Sequence, residues 1–469
     1  MIMADWKKYY EDHLITMNET ARAIKPGDRV WLGQATQIPY AMLDEMHAHM
    51  SEPEYDYHDI FLIHNCANVP FNMLFDPETK KHFRNVSFFN LPLERMSIEM
   101  GIAESAGCNY DQLHMGPFVY GCNALAIQVC PPDTDGWCNV GAYGQSTNDI
   151  ICNNPLITKK IAFIDRTGQF PVKGEKKNTC IHITEFDYVC ENDTEFNAIP
   201  AMPPSEYDKK IASYILPYIH SGDKVQIGFG GLGEEILANL KSIGNFEIYS
   251  EVACDNMAGL CEEGVLTKIT ATSPAACSQR FFDFIRDDTR ANFLPIYNCV
   301  DPLGVIPQEN IVAINATFMI DLIGQACSEA QGLKPYSGTG GSFAYLYGAT
   351  RAKNGRSFLC LRSTYLDHDG VTHSNIVPWL PEGSIVTTPK NFVMFVVTEH
   401  GIADVFLKTL KDRIKSLIQI ANSDFRAELK EKICTTPLIE EEDFENLSDY
   451  NPVNDQKVLG NPDFKRIFI

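Results

Sequence analysis

Two glutamates in the C-terminal half of the chain stand where a carboxylate could do chemistry. Glu251 follows the apolar segment NFEIYS and Glu399 follows FVMFVVT, so each is expected directly after a buried strand. Ligands gather at the carboxyl ends of strands in open α/β sheets, and a carboxylate beside apolar residues is costly unless it is paired or functional. Each glutamate is therefore a candidate functional group, although either could instead cap the helix that follows.

A glycine-rich segment lies upstream of Glu251. The stretch IGFGGLGEEI spells GxGxxG with Gly228, Gly230 and Gly233, between a predicted strand and a predicted helix. This is the context of a dinucleotide fingerprint, so an NAD-dependent Rossmann dehydrogenase is one hypothesis, with Glu247 or Glu251 on a ribose hydroxyl. The alternative is a tight turn at the edge of a sheet.

A second glycine cluster, YSGTGGSFAYLYGA, contains Gly338, Gly340 and Gly341. Successive small residues expose backbone N–H groups that can hold an anion or an oxyanion, and a purely structural turn is the alternative. The sequence contains no GxxxxGK[ST], GxSxG or HExxH pattern. P-loop, α/β-hydrolase and zinc-protease chemistry therefore lack support.

The segments that must position these residues alternate between short apolar strands and helices of ten to fifteen residues, which is typical of an α/β fold. The stretch AIKPGDRVWLGQATQIPYAMLDEM, with Gly27, is echoed 195 residues later by YIHSGDKVQIGFGGLGEEILANL, with Gly222. A proline-rich segment, 197–208, lies between the two copies and is predicted to be a linker. We therefore predict two related α/β domains, residues 1–200 and residues 205–469, the second ending in an extended acidic tail after Cys434.

Composition excludes several classes of protein. The 469 residues carry a net charge of −22, and the basic residues are scattered, so nucleic acid is not an expected partner. Apolar runs are too short for a membrane span, and the N-terminus has no signal-peptide pattern. The 15 cysteines include no CxxC pair. We expect a soluble cytoplasmic protein with reduced thiols, no structural metal and no membrane partner.

The motifs, read in order, resemble the acetyl-CoA hydrolase/transferase family, in particular its butyryl-CoA:acetate and 4-hydroxybutyrate CoA-transferase branch. The resemblance covers nearly the whole chain. The segments that carry it are KPGDRVWLGQA, RNVSFFNLPLER, AIQVCPPDTDGWCNVG, CIHITEFDYVCEND, SGDKVQIGFGGL, IYSEVACDNMAGLCEEGVLTK, VAINATFMIDLIGQACSEAQG, YSGTGGSFAYLYGA, HSNIVPWLPEGSIVTTPK, VVTEHGIADV and SLIQIANSDFRAEL.

This resemblance implies a fold of two CoA-transferase-type domains with open, mostly parallel sheets. It implies Glu251 as the nucleophile, which forms a glutamyl-CoA thioester in a ping-pong transfer of CoA between an acyl-CoA and a carboxylic acid such as acetate or butyrate. By the same likeness, Asn315 and Glu399 hold the nucleophile and acyl group. The resemblance further suggests Gly340 and Gly341 as oxyanion donors. The loop glycines expected to line the acyl or CoA pocket are Gly228, Gly230, Gly231, Gly338, Gly340 and Gly341.

The resemblance also implies that CoA and acyl-CoA enter as substrates, that no cofactor is permanently bound, and that the chain forms a homodimer or a larger homo-oligomer. Hydrolysis of the glutamyl-CoA thioester by water is the rival within the family. This chain departs from the family after the glycine loop, where relatives commonly carry Gln and then Asp-Phe, and where Ser342, Ala344 and Tyr345 stand here.

Overall fold

The structure is a computed structural model, and it describes residues 5–144, 149–195, 202–275 and 278–445. The chain divides into two compact units. The first comprises Met1–Ile199, Thr270–Cys299 and Pro335–Gly340, and the second comprises Pro200–Ile269, Val300–Lys334 and Gly341–Ile469. The main division therefore falls near residue 200, but two later segments group with the first unit, so the units are not continuous in sequence.

Contacts with residues near position 170 explain why the segment from residue 270 groups with the first unit. The backbone N–H of Lys173 donates to the carbonyl of Ile285 over 2.9 Å. The rings of Phe170 and Phe282 stack with their centroids 4.3 Å apart. Sequence periodicity does not predict that this segment packs on the first unit, because the packing depends on contacts between residues more than 100 positions apart.

Strands and helices alternate along much of the chain as predicted, but the described α-helices have 4 to 11 residues, and strands follow one another without an α-helix over 311–335 and 356–404. Up to residue 195 they are α1 (Trp6–Asp12), α2 (Met17–Ala23), β1 (Arg29–Gln34), α3 (Tyr40–Ala48), β2 (Ile60–Asn65), β3 (Phe83–Ser87), α4 (Pro92–Glu99), β4 (Ala103–Ser105), α5 (Gly116–Val119), β5 (Ala124–Val129), β6 (Trp137–Asn139), α6 (Asp149–Cys152), β7 (Lys159–Ile164), α7 (Lys176–Thr179), β8 (Cys180–His182) and β9 (Tyr188–Glu191).

From residue 202 they are α8 (Glu206–Ile215), β10 (Lys224–Ile227), α9 (Gly231–Leu240), β11 (Phe246–Tyr249), β12 (Val252–Ala253), α10 (Asn256–Glu262), β13 (Leu266–Ala271), β14 (Ser273–Pro274), α11 (Gln279–Asp287), β15 (Ala291–Phe293), α12 (Ile296–Cys299), α13 (Pro302–Val305), β16 (Ile311–Ala316), β17 (Met319–Asp321), β18 (Ala326–Cys327), β19 (Ala330–Gln331), β20 (Lys334–Pro335), α14 (Ser342–Ala349), β21 (Arg356–Cys360), β22 (Thr364–Leu366), β23 (Thr372–Ser374), β24 (Ile376–Val377), β25 (Phe395–Thr398), β26 (Gly401–Asp404), α15 (Leu410–Ile420) and α16 (Ser423–Ile433).

The first unit is built on an open sheet with the strand order β4-β3-β2-β1-β5-β7-β9. Its neighbouring strands run parallel. All six residues of β5 are buried, as expected of a parallel strand that is covered on both faces. The order reverses between β1 and β5, and the carboxyl ends of two such strands border the crevice where open α/β sheets bind ligands.

The second unit repeats this plan, with the order β13-β11-β10-β16-β21-β25-β26. The strands from β11 to β25 run parallel, and β26 returns antiparallel to β25. Here the order reverses between β10 and β16. The two units confirm the predicted fold class, a pair of related α/β domains with mostly parallel sheets.

The predicted repeat forms the same turn in both units. Gly27 (φ 80°) and Gly222 (φ 91°) adopt the left-handed conformation that glycine tolerates best, just before β1 and β10. Asp28 and Asp223 follow, and each accepts a hydrogen bond from the backbone N–H three residues earlier. Each aspartate also pairs with a cation at the start of the strand two places along its sheet. The cations are Lys159 in β7 and Arg356 in β21.

The predicted linker, 197–208, is too long at its C-terminal end. Residues 197–201 lie outside the described residues, and α8 begins at Glu206, inside the predicted linker. Ser205 and Asp208 form a capping box in which the Ser205 hydroxyl accepts from the Asp208 N–H, and the Asp208 carboxylate accepts from the Ser205 N–H. This S-x-x-D pattern is a helix-start signal that the neighbouring prolines obscured.

The acidic segment after Cys434 packs on the second unit as far as it is described. Ile439 and Phe444 are 1% and 4% exposed and join the apolar cluster formed with α15 and α16. Asp443 accepts an ion pair from Lys411 over 2.7 Å. Residues 446–469 of the predicted tail lie outside the described residues. Within the described parts of the chain, the helices are too short or too polar to cross a lipid bilayer.

Candidate active site

Glu251 lies two residues beyond the end of β11, and its side chain meets the amino end of helix α14. The backbone N–H of Gly341, the residue before α14, donates a hydrogen bond to its carboxylate. A Cβ atom at position 341 would lie 2.1 Å from Oε2 of Glu251 and 2.7 Å from Cγ1 of Val300. Only glycine therefore permits this approach of backbone to carboxylate.

The surroundings of Glu251 change its acidity. Burial raises the pKa of its carboxyl group to about 7, and the hydrogen bond from Gly341 opposes that rise. The amino end of a helix also favours negative charge nearby. Near neutral pH, Glu251 is thus poised between its protonated and ionised forms, as expected of a nucleophile or a base.

Asn315 lies at the carboxyl end of β16 and is 7% exposed. Its Nδ2 donates to Oε1 of Gln226 over 2.8 Å, and Nε2 of Gln226 donates back to its Oδ1 over 3.4 Å. Gln226 belongs to the neighbouring strand β10 and is 2% exposed. The paired amides fix Asn315 at the point where the strand order of the second unit reverses.

Glu399 follows β25 and is held by a neighbouring strand end. Its carboxylate accepts hydrogen bonds from the backbone N–H of Ser363, over 3.0 Å, and from the Ser363 hydroxyl. Nε2 of His400 lies 3.4 Å from Oε1. Glu399 thus has its partners within this cluster, at the same carboxyl edge of the sheet where β11 and β16 end.

The loop between β10 and α9 is open at its start and packed at its end. An added Cβ atom at Gly228 or Gly230 would meet nothing within 4 Å. At Gly231 it would lie 2.8 Å from Oδ2 of Asp208, and at Gly233 it would lie 2.6 Å from the carbonyl oxygen of Gly228. Gly228 and Gly230 therefore can border a ligand, whereas Gly231 is needed for packing against α8.

Glu247 does not fit the dehydrogenase hypothesis. It pairs in register with Lys224, the first residue of β10, and so lies near the amino ends of these strands. A carboxylate that binds a ribose hydroxyl must lie at the carboxyl end of its strand. Glu247 therefore does not fit that role. The sequence prediction was wrong here because the number of residues from the glycines does not show at which end of β11 a residue lies.

Gly338 and Gly340 belong to the first unit, whereas Gly341 belongs to the second. The carbonyl of Gly340 accepts from the backbone N–H of Tyr110 over 3.1 Å. A Cβ atom at Gly338 would lie 2.3 Å from the carbonyl oxygen of Phe88. Of the two predicted oxyanion donors, Gly341 has its N–H bound to the carboxylate of Glu251. Gly340 is held by the hydrogen bond between its carbonyl and Tyr110.

The structure describes no metal centre and no disulfide within its covered ranges. No group of three or more His, Cys, Asp or Glu side chains there is arranged to hold a metal ion. The cysteines in these ranges are not joined in disulfides, and most of them are buried.

Comparison with known proteins places this chain. Residues 277–433 match the model of the acetyl-CoA hydrolase/transferase C-terminal domain. The chain is 27% identical to 4-hydroxybutyrate coenzyme A transferase of Clostridium kluyveri over 441 residues, which cover 91% of this chain and 98% of that one. It is 26% identical to butyryl-CoA:acetate CoA-transferase of Anaerostipes caccae over 443 residues, which cover 90% and 96%. The acetyl-CoA hydrolase/transferase family is thus matched by the C-terminal part of the chain, and the similarity to the two CoA-transferases extends over about nine tenths of it.

A solved structure shares the fold of this chain. RipA from Yersinia pestis superposes with a TM-score of 0.81, at 24% identity, over 93% of this chain and 100% of that chain. At this identity the likeness concerns the fold alone. The relatives matched along nearly their whole length are CoA-transferases, and they support a CoA-transferase enzyme.

The sequence analysis does not identify two residues that bind Asn315 and Glu399. These residues are Gln226 and Ser363. Both are polar residues at or near strand ends in otherwise apolar segments, KVQIG and FLCLRS. A polar side chain in such a segment must find a hydrogen-bond partner when it is buried, and this is the signal that could have found them.

Proposed function

We propose that this enzyme transfers CoA from an acyl-CoA to a free carboxylic acid through a thioester on Glu251. The observation that carries the proposal is the carboxylate of Glu251, which stands at the start of α14 on the N–H of Gly341, with its pKa raised to about 7. The similarity to two CoA-transferases along about nine tenths of the chain supports the same reaction class.

The proposed route begins when the ionised Glu251 attacks the thioester carbonyl of the acyl-CoA. The carbon–sulfur bond breaks, CoA leaves as the thiolate, and an acyl-glutamyl anhydride remains. The thiolate then attacks the glutamyl carbonyl, which releases the first acid as a carboxylate and leaves glutamyl-CoA. A second carboxylate attacks glutamyl-CoA, and the same steps in reverse give the new acyl-CoA and restore Glu251.

The surroundings of Glu251 suit both halves of this cycle. A carboxylate in a poorly solvated place is a better nucleophile than one in water, and with a pKa of about 7 roughly half of the Glu251 side chains are still ionised near neutrality. The Gly341 N–H and the first turn of α14 can stabilise the negative charge that shifts to carbonyl oxygens during each attack. The CoA arm, bound away from the reacting atoms, would help to orient the thioester.

The substrates follow from the relatives by analogy. We propose short or medium carboxylic acids such as acetate and butyrate, with Gly228 and Gly230 beside the acyl group or the CoA arm. Both glycines have open space where a side chain would stand. Ala344, which stands where relatives commonly carry Asp, is 1% exposed within α14.

Hydrolysis is the second candidate, because the family model that matches residues 277–433 describes hydrolases as well as transferases. Water would then attack glutamyl-CoA in place of the acceptor acid. The two activities differ in their products, since transfer conserves the thioester and hydrolysis releases free CoA.

The test follows acetyl-CoA and free CoA separately after butyryl-CoA is mixed with excess acetate, using wild type and Glu251→Ala. We expect wild type to form acetyl-CoA, and Glu251→Ala to lose at least about 10³-fold in rate because the nucleophile is gone. Free CoA without acetyl-CoA would show hydrolysis instead. An active Glu251→Ala enzyme would contradict the assignment of the nucleophile.

A further inference from the structure

Arg362 is an exposed arginine at the carboxyl edge of the second unit's sheet. It lies two residues beyond the end of β21, and its Cζ stands 5.0 Å from the centroid of the Tyr207 ring. Its Nη2 donates to the hydroxyl of Ser205 over 3.4 Å. These contacts with described residues include no carboxylate, so the charge of Arg362 is not neutralised by an ion pair among them.

The backbone beside Arg362 is held from both sides. The Arg362 carbonyl accepts from Nδ2 of Asn375 over 2.9 Å, and the N–H of Ser363 donates to Glu399 over 3.0 Å. Stacking on Tyr207 orients the guanidinium group, whose N–H donors form a rigid planar fork. An arginine oriented in this way loses less conformational entropy when it binds an anion.

Arg362 stands beside the glycine loop that follows β10. A Cβ atom at Gly231, the packed end of this loop, would lie 2.8 Å from Oδ2 of Asp208. The Ser205 hydroxyl donates to that same oxygen over 2.6 Å, and it accepts from Arg362. The earlier part of the loop, 228–230, borders open space. A ligand that lies along this part of the loop therefore passes near the guanidinium group.

The distance between Arg362 and Glu251 suits one part of CoA. Each residue lies two positions beyond its strand, and β10 and β16 separate β11 from β21 in the sheet. Neighbouring strands are about 4.8 Å apart, so the two strand ends are about 14 Å apart. The extended arm of CoA covers about 15 Å between its sulfur and its first phosphorus, at about 3.5 Å for every three bonds. A short dicarboxylic acid does not span this distance.

We propose that Arg362 binds a phosphate group of CoA while the thioester lies at Glu251. The inference rests on the proposed function, which brings an acyl-CoA to Glu251. The guanidinium donates hydrogen bonds to phosphate oxygens, and no covalent bond changes at this residue. Because the chain carries a net charge of −22, an arginine without an acidic partner is what a phosphate needs locally.

Arg351 offers a matched control in the same unit. It is exposed, its Cζ lies 4.8 Å from the centroid of the Tyr347 ring, and its contacts with described residues include no carboxylate. It follows the far end of α14, near Lys353, whose carbonyl accepts from the N–H of Asn310 just before β16. Arg351 therefore lies toward the amino edge of the sheet, away from Glu251.

The experiment measures kcat/KM for transfer to excess acetate from two donors, butyryl-CoA and butyryl-pantetheine, which lacks the phosphates. We expect Arg362→Gln to lower kcat/KM for butyryl-CoA by about tenfold, the effect of charge-assisted hydrogen bonds. With butyryl-pantetheine it should match wild type. Arg351→Gln should match wild type with both donors. Calorimetric titration with free CoA should show the same loss of affinity for Arg362→Gln in the absence of turnover.

A third donor, butyryl-3′-dephospho-CoA, distinguishes the phosphates of CoA. Because the distance from Glu251 fits the diphosphate, we expect Arg362→Gln to lose about tenfold with this donor too. A loss that disappears with this donor would assign Arg362 to the 3′-phosphate instead. Arg362→Lys keeps the charge without the planar fork, and its kcat/KM for butyryl-CoA should lie between those of wild type and Arg362→Gln.

Several results would overturn the inference. Equal kcat/KM for butyryl-CoA in wild type and Arg362→Gln would overturn this inference alone. Equal losses with butyryl-CoA and butyryl-pantetheine, or in Arg351→Gln and Arg362→Gln, would show that no phosphate is bound there. A loss confined to a dicarboxylic acceptor such as succinate would assign Arg362 to the acid. A wild type that binds CoA through Arg362 but transfers none would overturn the proposed function and support this inference.

Discussion

The two units share the same strand order around their central strands and differ at the carboxyl end of the strand that precedes Glu251 in the second unit. Leu62 of β2 and Ile248 of β11 each lie opposite the valine of the repeated segment in the neighbouring strand. Three residues further on, the first unit has Asn65 where the second has Glu251. Asn65 is 1% exposed, and its Oδ1 accepts a hydrogen bond from the backbone N–H of Phe88 over 2.9 Å.

A second difference concerns the crevice where each strand order reverses. In the first unit, Nε2 of the buried Gln128 donates to the carbonyls of Thr36 and Ile38, so the chain itself fills this place. By register, the residue of β16 that corresponds to Gln128 is Ala316, which is exposed. The loop after β10, Gly228–Gly230, borders open space.

The turns and strand order that the two units share do not by themselves provide a reactive group. Both units keep the glycine turn, the aspartate that caps it and the cation that pairs with the aspartate. The second unit adds a carboxylate at a strand end, a helix start that binds it and an open crevice. Chemistry on this fold therefore depends on a few residues at the carboxyl edge of one sheet.

After removal of Glu251 itself, the largest expected effect comes from crowding the helix start of the second unit. A Gly341→Ala substitution would place Cβ 2.1 Å from Oε2 of Glu251, so the carboxylate must move from the N–H that holds it. We expect transfer activity to fall by about 10²-fold or more, the loss typical of one displaced catalytic group. Steady-state transfer assays would measure this.

Gly259→Ala is the control for Gly341→Ala. Gly259 lies in α10, and an added Cβ atom there would meet nothing within 4 Å. Alanine should raise helix stability by up to about 1 kcal/mol and leave activity unchanged. A Gly341→Ala enzyme as active as Gly259→Ala would contradict the geometry assigned to Glu251.

A smaller effect is expected from pH. Because burial raises the pKa of Glu251 to about 7, kcat/KM should fall by about tenfold for each pH unit well below that value. The folded state binds this proton more tightly than the unfolded state does. The resulting stabilisation is full below the ordinary pKa of 4.5 and is lost as the pH rises through about 7.

Unfolding of wild type and Glu251→Gln by urea across this pH range would check the sign. The free energy of unfolding of wild type, minus that of Glu251→Gln, should fall as the pH rises from 4.5 to 7. Asn65, at the corresponding place in the first unit, carries no titrating group and contributes nothing to that change. A difference that stays constant with pH would contradict the raised pKa.

The smallest effects should separate the two crevices. Ala316→Gln gives the second unit the residue of the first, and we expect KM for acyl-CoA to rise by about three- to tenfold. Gln128→Ala removes the donor to Thr36 and Ile38, and we expect the free energy of unfolding to fall by about 2–4 kcal/mol with activity per folded molecule unchanged. Activity assays and urea unfolding of both variants would measure this.

The opposite pattern would break the comparison between the crevices. A Gln128→Ala enzyme that is stable but inactive would place the chemistry in the first unit. An Ala316→Gln enzyme with the wild-type KM would mean that substrates do not enter the crevice between β10 and β16.

Much of this architecture could be predicted from local sequence patterns. The alternation of strands and helices, the repeated glycine–aspartate turn and the position of Glu251 after β11 all rest on neighbours in sequence. What could not be predicted depends on distant contacts. The amides of Gln226 and Asn315 meet across 89 residues, and Gly341 reaches Glu251 across 90. Neither pairing has a periodic signal, because the fold alone brings the strand ends together.

The division of the glycine loop is a second case. The sequence presents Gly340 and Gly341 as equivalent donors, and only the packing of each distinguishes them. Gly341 starts a helix of the second unit, and Gly340 belongs to the first. Glycines have no side chain that could distinguish them in a sequence, so the different contacts of Gly340 and Gly341 are seen only in the structure.

The most direct test of the account is to detect the thioester itself. Wild type and Glu251→Gln would be incubated with butyryl-CoA without an acceptor acid, and the intact protein and its peptides would be weighed by mass spectrometry. We predict that wild type gains the mass of one CoA less one water on the peptide that contains Glu251, that added acetate removes it, and that Glu251→Gln gains nothing. A CoA adduct on another residue, or turnover without any adduct on Glu251, would contradict the account.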